Sequence, residues 1–177
     1  MTWCAGSIRF SQGQSIGYDM ADTTLSVGDA APDFQLYTHD GTPWRLSQQR
    51  GQPVVLLFFP GAFTSVCTTE LNTVNNDLDA YDGAEVVGLS TDAPAVLNEF
   101  RSSEQLTFPL LSDHDAEVCA SYGAKYDRNF TDMNLDRIAK GAAFVVGPEG
   151  TIQYAEVLDN AGKTPDFDAI KKALNQL

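Results

Sequence analysis

Pro60, Thr64 and Cys67 stand seven, three and zero residues before a sulfur that could act as a nucleophile. Cys67 follows an apolar run, Val54 to Phe59, that reads as a buried strand. It precedes a helix-compatible stretch, Glu70 to Tyr81. A cysteine at that junction lies near the first turn of a helix, where free N–H groups and the positive end of the dipole favour the thiolate. Thr64 can turn a hydroxyl toward the sulfur or toward a bound oxygen. Pro60 has no N–H and can wall the site without competing for the thiolate. A packing cysteine would need none of these neighbours. Glu70 has two readings: it orders the site by hydrogen bonding, or it is a favourable charge in a first helical turn.

Strand, turn and helix signals on either side must position these residues. Phe34 to Tyr37 and Thr42 to Arg45 flank the Asp40-Gly41 turn and predict a hairpin. Ala84 to Ser90 predicts a second buried strand. Asp92 is placed to cap the helix that Pro94 opens, with Val96, Leu97 and Phe100 on its apolar face. Pro109 to Ser112 is a short strand, and Asp115 to Tyr122 a helix closed by Gly123. Ala142 to Val146 and Thr151 to Val157 form a hairpin across Pro148-Glu149-Gly150. Thr164-Pro165 opens a last helix with Phe167, Ile170, Leu174 and Leu177 facing inward. Strand–helix–strand followed by hairpin and helix implies an α/β domain with a mixed central sheet and helices on both faces.

The Pro-x-x-x-Thr-x-x-Cys segment resembles the active-site motif of the peroxiredoxins. Val27 to Phe34 resembles that family's opening signature, Thr107 to Asp113 and Ala120 to Gly123 its middle, and Phe144 to Gly150 its late hairpin. The branch it looks most like is the alkyl hydroperoxide reductase E type, which commonly relies on one cysteine. The resemblance implies a thioredoxin-like fold and a thiol-dependent peroxidase acting on hydrogen peroxide and organic hydroperoxides. Cys67 would be the peroxidatic thiolate, oxidised to sulfenic acid and recycled by an external thiol, either a thioredoxin-like protein or a small thiol. Thr64 and the Cys67 N–H would hold the peroxide oxygens. A homodimer or larger oligomer is implied by the resemblance alone.

One departure stands out. The family places an arginine three residues before the Phe of the late strand, and Gly141 occupies that position. Lys140, Arg137, Arg101 and Arg128 are the cations that could replace it. The resolving cysteine of the bacterioferritin-comigratory type, five residues after the first, is Asn72 here. Cys119 lies mid-helix and reads as a core residue, with an atypical two-cysteine cycle as the alternative. A peroxide sensor or holdase is the rival from another functional class. A dithiol reductase is disfavoured because Glu70 stands where Cys-x-x-Cys needs its second sulfur.

The 177-residue length suits one domain. The net charge of -13 argues against nucleic acid and anionic membranes. Its Asp-rich, Lys-poor balance fits either a salt-adapted organism or an ordinary acidic cytosolic protein. No apolar run approaches the ~20 residues of a membrane span. A secretory leader is not expected, and three cysteines (Cys4, Cys67, Cys119) point to a reducing cytoplasm. His39 and His114 are isolated and read as solvated loop residues, so neither a metal nor another cofactor is expected. Residues 1–24 read as a disordered extension or a mis-assigned start ahead of Met20, and residues 25–177 as the peroxiredoxin domain.

Overall fold

A computed structural model describes residues 25–177. Cys4 and the proposed extension over residues 1–24 lie outside the described residues. One seven-stranded sheet runs in the order β2-β1-β5-β4-β3-β6-β7. Inside it, β3 (Val54–Phe58) lies between β4 (Glu85–Ser90), the middle strand, to which it is parallel, and β6 (Ala142–Val146), to which it is antiparallel. All five residues of β3 are buried because both sheet faces are covered, which is why the run is apolar without alternation.

The connections follow from the expected pattern. β3 leads through α1 (Ser65–Asn76) to β4, and β4 through α2 (Pro94–Ser103) to β5 (Leu110–Ser112). Both are parallel crossovers. β1 (Gln35–Thr38) and β2 (Pro43–Arg45) form the first hairpin, with Gly41 at φ +85° in its turn. β6 and β7 (Ile152–Val157) form the late one. The mixed sheet and the thioredoxin-like fold are those expected.

The sheet divides the interior into two layers. Val55, Leu57, Phe59, Cys67, Leu71, Leu97, Phe100 and Ile170 pack on one face, beneath α1, α2 and α4 (Phe167–Leu174). Phe34, Trp44, Leu56, Phe58, Cys119, Tyr122 and Phe144 pack on the other, beneath α3 (Glu117–Ser121). Period-two alternation along β3 sends its side chains to the two layers in turn.

Four local expectations are corrected. The helix expected over 70–81 starts at Ser65 and ends at Asn76, and a 3-10 turn spans Leu78–Tyr81. Asn75, Asn76 and Asp77 have low helix propensity. Asn75 also turns outward, accepting from Thr107 N–H at 2.8 Å and donating to Gln105 O at 3.3 Å. α3 is shorter than expected because Ala116 takes a left-handed φ of 59°. The Asp113 carboxylate then accepts from Val118 N–H and Cys119 N–H. α4 begins after Asp166, whose side chain accepts from Ala169 N–H at 3.0 Å, rather than at Thr164-Pro165. Leu177 lies beyond that helix and is exposed, not inward.

Candidate active site

Thr64 is the N-cap of α1, with extended φ −89° and ψ 145°, and Cys67 is the third residue of the helix. The loop enters this cap through Phe63, whose φ is +62°, a conformation that costs a non-glycine residue about 1–3 kcal/mol. An edge-on contact with Phe100 at 5.1 Å between ring centroids holds Phe63 there. The Thr64 hydroxyl does not cap a helical N–H. It donates to Gly61 O at 3.1 Å. Pro60 is partly buried and follows the end of β3.

Cys67 is 2% exposed. Burial pushes its thiol up from the ordinary value. The Thr64 hydroxyl, the Gly61 backbone and the Cys67 N–H pull it down, while ionised Glu70 pushes it up. The position at the start of a helix is as expected, and burial there opposes the lowering by the nearby donors.

Glu70 is 1% exposed, and its Oε1 has no hydrogen-bond partner. Burial, and then the charge of Glu156, push its carboxyl up to about 8. It is therefore largely protonated at neutral pH, which overturns its reading as a favourable first-turn charge. Glu156 on β7 is itself held in place, accepting from Tyr154 Oη and Asp166 N–H, both at 2.8 Å.

The four candidate cations are engaged elsewhere. Arg101 donates to Phe108 O and Thr107 O. Arg128 pairs with Asp136, Arg137 with Asp115, and Lys140 with Asp159 at 3.1 Å. The Lys140 ammonium also lies 5.8 Å from the ring centroid of Tyr126. Tyr126 is buried with its hydroxyl unpartnered. Burial pushes that hydroxyl's pKa up, and it senses the charges of Lys140 and Cys67. Sequence reasoning did not single out Tyr126, because an isolated tyrosine in a loop carries no spacing signal.

Asp92 was expected to cap α2. Ala93 holds that position instead, and the Asp92 carboxylate crosses to the loop before Cys67, accepting from Ala62 N–H at 2.8 Å. Cys119 lies on the far side of the sheet from Cys67, with no exposed surface, its thiol donating to Ala116 O at 3.4 Å. Asn72, at the other resolving position, donates to Glu104 Oε2. His114 is exposed as expected. His39 is only partly exposed, and its Nδ1 accepts from Leu110 N–H at 3.4 Å. Among the described residues, no group of three or more His, Cys, Asp or Glu side chains could hold a metal ion. No helix there is long and apolar enough to cross a membrane.

Comparison with known proteins matches residues 27–155 to the AhpC/TSA family. Peroxiredoxin Bcp of Escherichia coli strain K12 is 35% identical over 154 residues, covering 86% of this chain and 97% of that protein. The crystal structure of peroxidoxin BcpB from Mycobacterium tuberculosis superposes with a TM-score of 0.75 at 27% identity, covering 86% of this chain and 98% of the other. The Xanthomonas campestris bacterioferritin comigratory protein, described for its alkyl peroxide reduction activity, superposes at 0.71 with 28% identity, covering 86% and 96%. These relatives are of the Bcp type and do not single out the alkyl hydroperoxide reductase E branch. With a helix-start cysteine on a mixed seven-stranded sheet and a family match across most of its length, the chain belongs to the AhpC/TSA family and is a peroxiredoxin, a thiol-dependent peroxidase.

Proposed function

We propose that Cys67 is the peroxidatic cysteine, with Thr64 and Pro60 completing its site. The carrying observation is that Cys67 is the third residue of α1, 2% exposed, with Thr64 as the N-cap of that helix and Pro60 just past the end of the strand before it. The Cys67 thiolate attacks the terminal oxygen of a hydroperoxide. The O–O bond breaks, the sulfur is oxidised to sulfenic acid, and the departing oxygen leaves as an alcohol or water after taking a proton. Thr64 and the free amides of the first helical turn stabilise the oxygens as charge moves. Pro60 walls the sulfur without offering a competing N–H.

A one-cysteine cycle completes the turnover. One external thiol condenses with the sulfenic acid, releasing water and forming a mixed disulfide, and a second thiol releases Cys67. Support comes from the sheet between Cys67 and Cys119, and from Asn72 in place of a nearby sulfur. This single-cysteine pattern is what favours the alkyl hydroperoxide reductase E mode, although the Escherichia coli relative is of the Bcp type. Hydrogen peroxide and small organic hydroperoxides are the substrates, in line with the alkyl peroxide activity described for the Xanthomonas protein. The cytoplasm, a thioredoxin-like or low-molecular-weight thiol reductant, and a homodimer or larger assembly complete the reading.

Intact mass after one equivalent of hydrogen peroxide tests it, run beside Cys119→Ser with a sulfenic-acid trap. Both proteins should gain one trappable oxygen at Cys67. Loss of two hydrogens in the wild type only, with the oxygen trapped in the variant, would make Cys119 resolving. Absence of rapid oxidation at Cys67 in both would remove its assignment.

A further inference from the structure

Asp92 lies in the turn after β4, far from Cys67 in sequence, and its carboxylate reaches the loop that leads into α1. Its Oδ2 accepts from Ala62 N–H at 2.8 Å and from the Ser90 hydroxyl at 2.8 Å. The Ser90 oxygen accepts in turn from Asp92 N–H at 3.1 Å. The Ser112 hydroxyl on β5 donates to Asp92 O at 2.7 Å. The acid is thus fixed by the ends of two central strands, and it spends one oxygen on the loop.

That loop carries the donors of the candidate site. Gly61 O accepts from the Thr64 hydroxyl at 3.1 Å, and Thr64 is the N-cap of the helix whose third residue is Cys67. Gly61 itself lies between the two side chains: a Cβ there would be 3.9 Å from Asp92 Oδ2 and 3.9 Å from Thr64 Cγ2. Phe63 holds a left-handed φ in the same loop, so the segment needs external restraint to keep its shape.

We infer that Asp92 is a positioning residue for the peroxidase reaction, setting the Gly61–Ala62 backbone and, through Gly61 O, the Thr64 hydroxyl at the start of the helix that carries Cys67. This rests on the reading of Cys67 as the nucleophile. The acid acts as a hydrogen-bond acceptor at a fixed place, not as a charge. A charge acting on the thiolate would raise the thiol pKa, so its removal would lower that pKa. Loss of a positioned acceptor frees the loop, removes donors from the sulfur, and raises it.

The test compares wild type, Asp92→Ala, Asp92→Asn and Ser90→Ala. Cys67 oxidation by hydrogen peroxide is followed by rapid quench and peptide mapping. The Cys67 thiol pKa comes from the pH profile of alkylation, and folding is checked by circular dichroism. Asp92→Ala should slow oxidation by about tenfold or more and raise the thiol pKa. Asp92→Asn, whose amide oxygen can still accept, should restore both to near wild type. Ser90→Ala should give a smaller change of the same sign, and it carries the test alone if Asp92→Ala does not fold. A lowered thiol pKa in both Asp92 variants, or wild-type rate and pKa in Asp92→Ala and Ser90→Ala, would overturn the inference. Inert Cys67 in the wild type would instead overturn the reading beneath it.

Discussion

Glu70 lies one helical turn beyond Cys67 in α1, and both side chains are sealed in the same layer of the core, at 1% and 2% exposure. The carboxyl is kept neutral by burial and by the charge of Glu156, with its pKa pushed up to about 8 against an ordinary 4.5. The folded chain holds a proton that the unfolded chain releases above pH 4.5. Stability from this group is therefore greatest below that pH, falls as pH rises, and is fully lost above about 8. The gap corresponds to about 3–5 kcal/mol. Glu70→Gln should remove this loss, so urea midpoints should fall less between pH 5 and pH 9 than in the wild type. It should also shift the Cys67 alkylation profile to lower pH, because ionised Glu70 raises that thiol. Equal pH slopes in both proteins would mean that Glu70 is already ionised in the folded state.

Thr64 should contribute through its hydroxyl rather than its methyl group. Thr64→Val removes a donor that lowers the Cys67 thiol, and should cut kcat/KM for hydrogen peroxide by about 10²–10³. Thr64→Ser should keep most of the rate. Matching losses in the two variants would point to packing as the role of this side chain.

Cys119 should be silent in peroxide chemistry. Cys119→Ala should leave the second-order rate at Cys67 unchanged while lowering unfolding free energy by about 1–2 kcal/mol, because it empties part of a fully buried layer. Denaturant titration and peroxide kinetics on the same preparation check both halves.

Gly88 in β4 has no room for a side chain. A Cβ there would stand 2.7 Å from Leu110 Cδ2, 3.3 Å from Phe59 Cε1 and 3.7 Å from Leu71 Cδ2. Gly88→Ala should destabilise the chain by about 1–3 kcal/mol, because all three neighbours are fully buried. An unchanged thermal midpoint would mean that the layer under α1 can yield.

The sheet was legible because its central strands are apolar throughout and its turns carry Gly and Pro. Val54 to Phe59 reads as a strand covered on both faces because it is apolar without alternation. Helix ends were harder. Ser65 and Val66 carry no helical period, and the stop at Asn76 depends on Asn75 reaching Thr107 across the fold. Asp92 reads as a local cap in the sequence because its spacing to Pro94 suits one, whereas its partner Ala62 is thirty residues away. Pro60, Thr64 and Cys67 were visible as a spaced set. Glu156 and Tyr126 were not, since their relation to the site exists only once β7 and the loop after α3 are folded.

Cys119 also offers a clock. Its sulfur meets the Ala116 carbonyl and core atoms, with no exposed surface. A thiol reagent reaches it only when the layer beneath α3 opens. Its labelling rate, resolved by peptide from the other cysteines, therefore measures how often that half of the molecule breathes, and with what free energy, without denaturant and without an engineered label site.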